Sequence, residues 1–195
     1  MMKKFFIRPS IGQRKALVYR EMPNSGVRQS LTGERKWIGL AALCVLCGHL
    51  ASGVTLGDLK ADKHLTPERL MKQVAGFRFK LGRTVRKAED FLRQRGGDCD
   101  DFATLAADVL RQKGYTTRLV AVFMAGEVHV VCYVAEVGGY LDYNRRHEPS
   151  PVVKCDDSLA TIGASVAKSF HSDWVSASEY TFQDGEANFV LTEFH

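Results

Sequence analysis

The sequence predicts an α+β domain in which helices come first and a small antiparallel sheet second. Between Leu65 and Lys113, apolar residues recur at three- and four-residue spacing behind recognisable helix-start residues. From Thr116 onward, apolar and polar residues alternate in short runs separated by glycines. Helices and strands thus occupy different stretches, which favours a segregated arrangement over a parallel α/β sheet.

Taken in order, Thr66 is an N-cap with Pro67 at the first helical position, and Leu70, Val74 and Phe77 continue an apolar face. Phe77-Arg78-Phe79-Lys80 leads on to Leu81-Gly82. A second helix is expected over Val85 to Arg95, with Ala88, Phe91 and Leu92 inward and Gly96 as its stop. The next begins near Cys99 and runs to Lys113. Its inward stripe is Ala103, Ala106, Ala107 and Leu110, small enough for close packing, and Gly114 ends it.

Thr116 to Phe123 reads as a strand, and Met124-Ala125-Gly126 as a turn. In the strand that follows, Glu127, His129, Val131 and Tyr133 share one face, and Val128, Val130, Cys132 and Val134 the other. A third strand, Tyr140 to Tyr143, follows Gly138-Gly139. After Asn144 the chain is charged and turn-rich through Pro149 and Pro151. Leu159 to Phe170 reads as a helix, and Trp174 to Phe182 and Asn188 to Phe194 as strands joined through Asp184-Gly185.

The chain has 195 residues, 45% hydrophobic and 25% charged, which suits one globular domain with a real core. Its formal charge of +5 is unevenly placed. Residues 1–53 carry nine Lys or Arg against two acids, and the remainder eighteen against twenty. The basic character therefore belongs to the N-terminal segment, and no nucleic-acid partner is implied. Lys60 to Arg95 is a basic stretch, with eleven basic residues to four acids, that suits a solvated helix face or docking of an acidic substrate.

Within that segment, Trp37 to Cys47 is an apolar run behind Glu34-Arg35-Lys36. It is shorter than the roughly 20 residues a membrane-spanning helix needs and matches a secretory h-region. Ala51-Ser52-Gly53 supplies the small residues of a cleavage site, so Val54 is the expected mature start. Met22 is the better translation start, which makes residues 1–21 an over-extended or disordered N-terminus, 22–53 a signal peptide or membrane anchor, and 54–195 the folded domain. The expected location is periplasmic or secreted, with membrane association only through residues 37–53. Cys44 and Cys47 lie inside the apolar run with no second ligand pair, and metal binding there is not expected.

The chemistry centres on Gly96-Gly97-Asp98-Cys99-Asp100-Asp101-Phe102-Ala103. Two glycines relax the backbone for a sharp turn, Asp98 caps the helix, and Asp101 completes a capping box with a shorter acid than usual. A cysteine just inside this cap meets unpaired N–H groups and the positive end of the helix dipole, which favour its thiolate. The three carboxylates oppose that, so a histidine partner is required. Cys99, then His129 on a strand, then Asp142 on the next strand is the order of a nucleophile, a base and an orienting acid. The same residues also suit an inert buried cysteine, a structural histidine and a turn acid.

These motifs resemble those of the bacterial transglutaminase-like cysteine peptidases, in the transglutaminase-like superfamily with its papain-like core. The resemblance rests on Gly97 to Ala103, on His129 followed by Val130 to Val134, and on Tyr140-Leu141-Asp142, within roughly residues 65–145. It implies Cys99, His129 and Asp142 as catalytic residues and amide chemistry on glutamine or peptide carbonyls, with a protein or peptide substrate and no cofactor. Some relatives bind calcium through acids flanking the cysteine, which would make Asp98 and Asp100 ligands. Capping and solvation account for both without a metal, and none is expected.

No convincing side-chain donor for an oxyanion hole lies upstream. Gln73 is the amide available there, and the Cys99 backbone N–H is the safer donor. The hairpin register decides whether Asp142 reaches His129, thirteen residues before it. A turn centred on Gly138-Gly139 leaves them six positions apart, about 20 Å. A triad instead needs a hairpin centred near Ala135-Glu136 with the glycines bulged into the second strand; failing that, Glu127 or Asn144 becomes the candidate for the orienting role. Beyond the signal, Cys132 and Cys155 accompany Cys99, either bridged to each other or as two free thiols.

Overall fold

The computed structural model describes residues 53–195. Expectations for residues 1–52, including the leader, its cleavage and the Cys44/Cys47 pair, lie outside these residues. In chain order the helices are α1 (Leu56–Ala61), α2 (Pro67–Val74), α3 (Ala88–Gln94), α4 (Cys99–Gln112) and α5 (Leu159–Ser169). The strands are β1 (Arg78–Phe79), β2 (Gly96–Gly97), β3 (Thr117–Met124), β4 (Glu127–Val134), β5 (Gly139–Leu141), β6 (Val152–Lys154), β7 (Trp174–Gln183) and β8 (Glu186–Phe194). Short 3-10 turns cover Ala135–Val137 and Tyr143–Arg145.

Six strands form one sheet in the order β6-β5-β4-β3-β7-β8, every neighbouring pair antiparallel. Alternation sends Leu119, Ala121, Val130, Cys132 and Val134 into a core shared with α1 to α4. The intervening Val120, Val122, Val131 and Tyr133 pack with Leu159, Ile162 and Val166 of α5. The fold is thus an α+β core with helices on both faces of the sheet. Among the described residues no helix is long and apolar enough to cross a membrane.

Local signals account for most element boundaries. The Thr66 hydroxyl accepts from Arg69 N, with Pro67 next in the chain. Thr55 and Asp58 make a capping box at α1, a short helix the periodicity did not reveal. Gly114, with φ of 88°, ends α4, and the Asp184-Gly185 pair, with φ of 52° and 84°, closes the β7–β8 hairpin. Helix α4 is buried almost all round: Phe102, Leu105 and Val109 are enclosed along with the alanine stripe.

Several expectations are corrected. Helix α3 starts at Ala88, three residues late, because the Arg86 backbone N–H is bonded to Asp101 Oδ1 at 2.6 Å and holds that stretch outside the helix. Arg95, with φ of 47°, and not Gly96, makes its left-handed end. Strand β6 was missed because only three residues between prolines and acids form it.

The two glycines before Cys99 are not a turn. They form β2, pair in parallel with β1, and keep out of the left-handed region. Close approach explains them: a Cβ on Gly96 would meet the Arg78 carbonyl oxygen at 2.8 Å, and one on Gly97 would meet Asp101 Oδ2 at 2.4 Å and Phe91 Cδ2 at 2.5 Å.

The hairpin register matches neither expectation in full. Val134 pairs with Gly139, Tyr133 with Tyr140 and Cys132 with Leu141, so the centre lies between Glu136 and Val137. Gly138 closes the 3-10 turn with φ of 54° and Gly139 is an ordinary paired residue, so there is no glycine bulge. Strand β5 also ends at Leu141, one residue before Asp142. Continuing the register would set residue 144 opposite His129. Asp142 falls two positions short on the same side, about 7 Å along a strand, within reach of two side chains.

Gly97→Ala should cost about 1–3 kcal/mol through overpacking against Asp101 and Phe91, read as a lowered urea midpoint with unchanged slope.

Candidate functional site

Cys99 is the first residue of α4 and is 5% exposed. Asp101 Oδ2 accepts from Asp98 N at 3.0 Å, one arm of the capping box. The same carboxylate takes the Arg86 backbone N–H and, through a short ion pair, the Arg86 guanidinium. Asp98 Oδ2 accepts from Gly82 N at 2.8 Å. The loop between β1 and α3 is thereby tied to the helix start on both sides of Cys99.

His129 Nε2 donates to Asp142 Oδ1 at 2.8 Å, with both side chains buried. Asp142 Oδ1 also accepts from Asn144 N at 2.8 Å, which makes Asp142 the cap of the 3-10 turn as well as the partner of the imidazole. With Nε2 engaged, Nδ1 remains for the thiol. Burial disfavours the charged ring, yet the charges of Asp142 and Cys99 and hydrogen bonds to both carry the His129 pKa well above its ordinary 6.5. Burial likewise works against the Asp142 carboxylate, but His129 and the Asn144 N–H hold its pKa below the usual range. Phe170, just past α5, leans on the His129 ring at 4.8 Å between centroids.

The segment carrying Asp142 is anchored from the helical side. The Tyr143 hydroxyl donates to Arg78 O at 3.2 Å, and its ring stacks on Phe102 at 5.5 Å and meets Phe91 edge-on at 5.7 Å. Arg146 lies 4.2 Å over that ring and donates to the carbonyl oxygens of Phe77 and Tyr143. Arg86, Tyr143, Arg146 and Phe170 all support the site, and none was legible as doing so: they lie in irregular segments where no periodicity marks what is buried.

The structure therefore brings Cys99, His129 and Asp142 together. Neither fallback candidate, Glu127 or Asn144, takes the bond to Nε2. Asn144 instead bonds to Asp142 through its backbone. Gln73 is excluded as the oxyanion donor, because it is exposed on the solvent side of α2 while Leu70, Met71 and Val74 fill the buried side. Among the described residues, Cys132 and Cys155 are both free thiols. They pack into the cores on opposite faces of the sheet, which rules out a bridge. Burial pushes Cys132 up to about 12 and Cys155 to about 11, values that suit unreactive thiols.

Asp98, Asp100 and Asp101 are at most 1% exposed, so solvation does not account for them as expected. One oxygen from each lies within 4.8 Å of the others, a hard donor set compatible with calcium. Arg86 already offsets Asp101, which leaves Asp98 and Asp100 as the acids that would hold such an ion. Its charge would relieve their mutual repulsion at the helix start.

Helices on an antiparallel sheet, with a helix-start cysteine set against a histidine–aspartate pair, define a class of papain-like thiol proteins. The family model described as Transglutaminase-like superfamily matches residues 58–159, more than half of the chain, and the chain belongs to that superfamily. The match runs from within α1 through β6 to the first residue of α5, including the Cys99 loop and the His129 hairpin, and ends before β7 and β8. Comparison with curated proteins and with solved structures gives no match.

The His129–Asp142 pair should leave a signature in stability against pH. A raised imidazole pKa contributes fully below about 6.5 and is lost as pH climbs through the folded value; the lowered Asp142 contributes above its unfolded value and is lost in acid. The melting temperature of the wild type should therefore fall as pH is raised above 6.5, and His129→Gln should flatten that limb of the thermal-melt profile.

Proposed function

We propose that the protein is a cysteine-dependent amide hydrolase acting on protein or peptide substrates through a thioester acyl-enzyme. The observation that supports this reading is the buried His129–Asp142 bond beside a cysteine at the start of a long helix. In this mechanism the Cys99 thiolate attacks the amide carbonyl and the C=O electron pair moves onto oxygen. The imidazolium of His129 then gives its proton to the departing amine as the C–N bond breaks. Water, relieved of a proton by His129, attacks the thioester, releasing the acid and regenerating the thiol. Asp142 fixes the ring tautomer and balances the imidazolium charge. The Cys99 backbone N–H, which has no acceptor within the first helical turn, donates to the tetrahedral oxygen.

The test is incubation with a peptide library and a primary amine, comparing wild type with Cys99→Ala. Hydrolysed products should appear with wild type alone, the variant falling by at least about 1,000-fold. Amine-linked products in their place would make the protein a transglutaminase. No product that depends on Cys99 would make it a binding module. In parallel, His129→Ala should slow iodoacetamide labelling of Cys99 at least about tenfold; an unchanged rate overturns the role given to His129.

Export through residues 22–53 is part of the proposal. N-terminal sequencing of the protein recovered from the cell envelope or medium should read from Val54; recovery of uncleaved chain in the membrane fraction would indicate an anchor.

A further inference from the structure

Tyr180 lies on β7 opposite Leu119 of β3, in the row that continues to Cys132 on β4. This register turns it to the sheet face covered by α4, where Cys99, Leu119, Cys132 and Tyr180 belong to one core. Opposite it, β8 carries a bulge: Glu179 pairs with Leu191 and Tyr180 with Phe189, so Val190 is the extra residue. Such a bulge sharpens the local twist and re-aims the neighbouring side chain. The Tyr180 ring leans on Phe189 at 5.9 Å, and the residue is 3% exposed.

Its hydroxyl is buried and has no hydrogen-bond partner among the described residues. An orphaned O–H of this kind is disfavoured and calls for a reason. Burial raises the phenol pKa well above 10, and after burial the charges acting on it are those of Asp100, Cys99, Cys132 and Asp98. Burial keeps its proton on, and the ring sits in the same core as Cys99 on the sheet face that α4 covers. Upstream of Cys99, the amide considered for the same task, Gln73, is exposed. Tyr180 also lies beyond the residues matched by the family model.

We propose that the Tyr180 hydroxyl is the side-chain donor of the oxyanion hole, binding the carbonyl oxygen of an acyl substrate together with the Cys99 backbone N–H. This rests on the amide-hydrolase reading above. The orphaned O–H is then a donor held ready for an oxygen that becomes anionic only during reaction, where preorganised donors matter most. Tyr180 keeps its proton throughout and donates only the hydrogen bond.

The experiment uses the full chain, iodoacetamide and a panel of N-acetyl dipeptide aldehydes, with labelling at Cys99 read by peptide mass. Addition to an aldehyde forms the S–C bond, moves the C=O pair onto oxygen and takes one proton from His129; nothing leaves. Iodoacetamide loses iodide from a saturated carbon and forms no such oxygen. Tyr180→Phe should weaken aldehyde protection of Cys99 by about 100-fold and leave unprotected labelling within about twofold of wild type.

Equal protection in both proteins overturns the assignment. A parallel loss of protection and labelling overturns it too, since that marks a packing role. So does a wild type protected by no aldehyde, and the His129-dependent labelling of Cys99 in the same samples then shows whether the nucleophile reading stands by itself. Cys132 labelling reports unfolding, and Tyr180→Met provides the same comparison if the phenylalanine variant labels there.

Discussion

One carboxylate holds the front of the molecule together. Asp101 receives the Asp98 N–H, the Arg86 N–H and the Arg86 guanidinium within a space that excludes water. Its ion pair crosses fifteen residues of sequence and fixes the loop between β1 and α3 against the helix start. A buried carboxylate deprived of its cation is far costlier than a surface ion pair lost, because nothing else neutralises it. The same group dictates its neighbours. Gly97 must lack a Cβ because Asp101 Oδ2 and the Phe91 ring occupy that position, and Cys99 inherits its orientation from the backbone so pinned.

The second constraint is the hairpin. With its centre between Glu136 and Val137, His129 and Asp142 fall on one side of the strands but two positions out of step. Strand β5 resolves this by ending early: the chain leaves the ladder at Asp142 and coils into a 3-10 turn that the Asp142 side chain itself caps. The acid thus serves local backbone and site at once, and Tyr143 immediately afterwards plugs into Phe91 and Phe102.

Much of this was legible in the sequence. The caps at Thr66 and Asp98 are local chemistry that a few neighbouring residues determine, and alternation along β4 is unmistakable. The order cysteine, histidine, aspartate was readable for the same reason. What escaped were features set by tertiary approach. Nothing local says that Gly96 and Gly97 serve proximity instead of turning, that Arg86 reaches Asp101, or that α5 closes the far face of the sheet. Register failed in a similar way: two adjacent glycines advertise a turn, yet the 3-10 turn begins three residues before Gly138 and uses only that glycine as its exit.

Cys99 arrives on the helical half of the chain and His129 with Asp142 on the sheet half, with Tyr143 and Arg146 reaching across from one to the other. A chain still being made, or one whose halves have come apart, therefore carries a thiol with no imidazole beside it. The cluster of Cys99, His129 and Asp142 therefore exists only where the two halves are docked on each other.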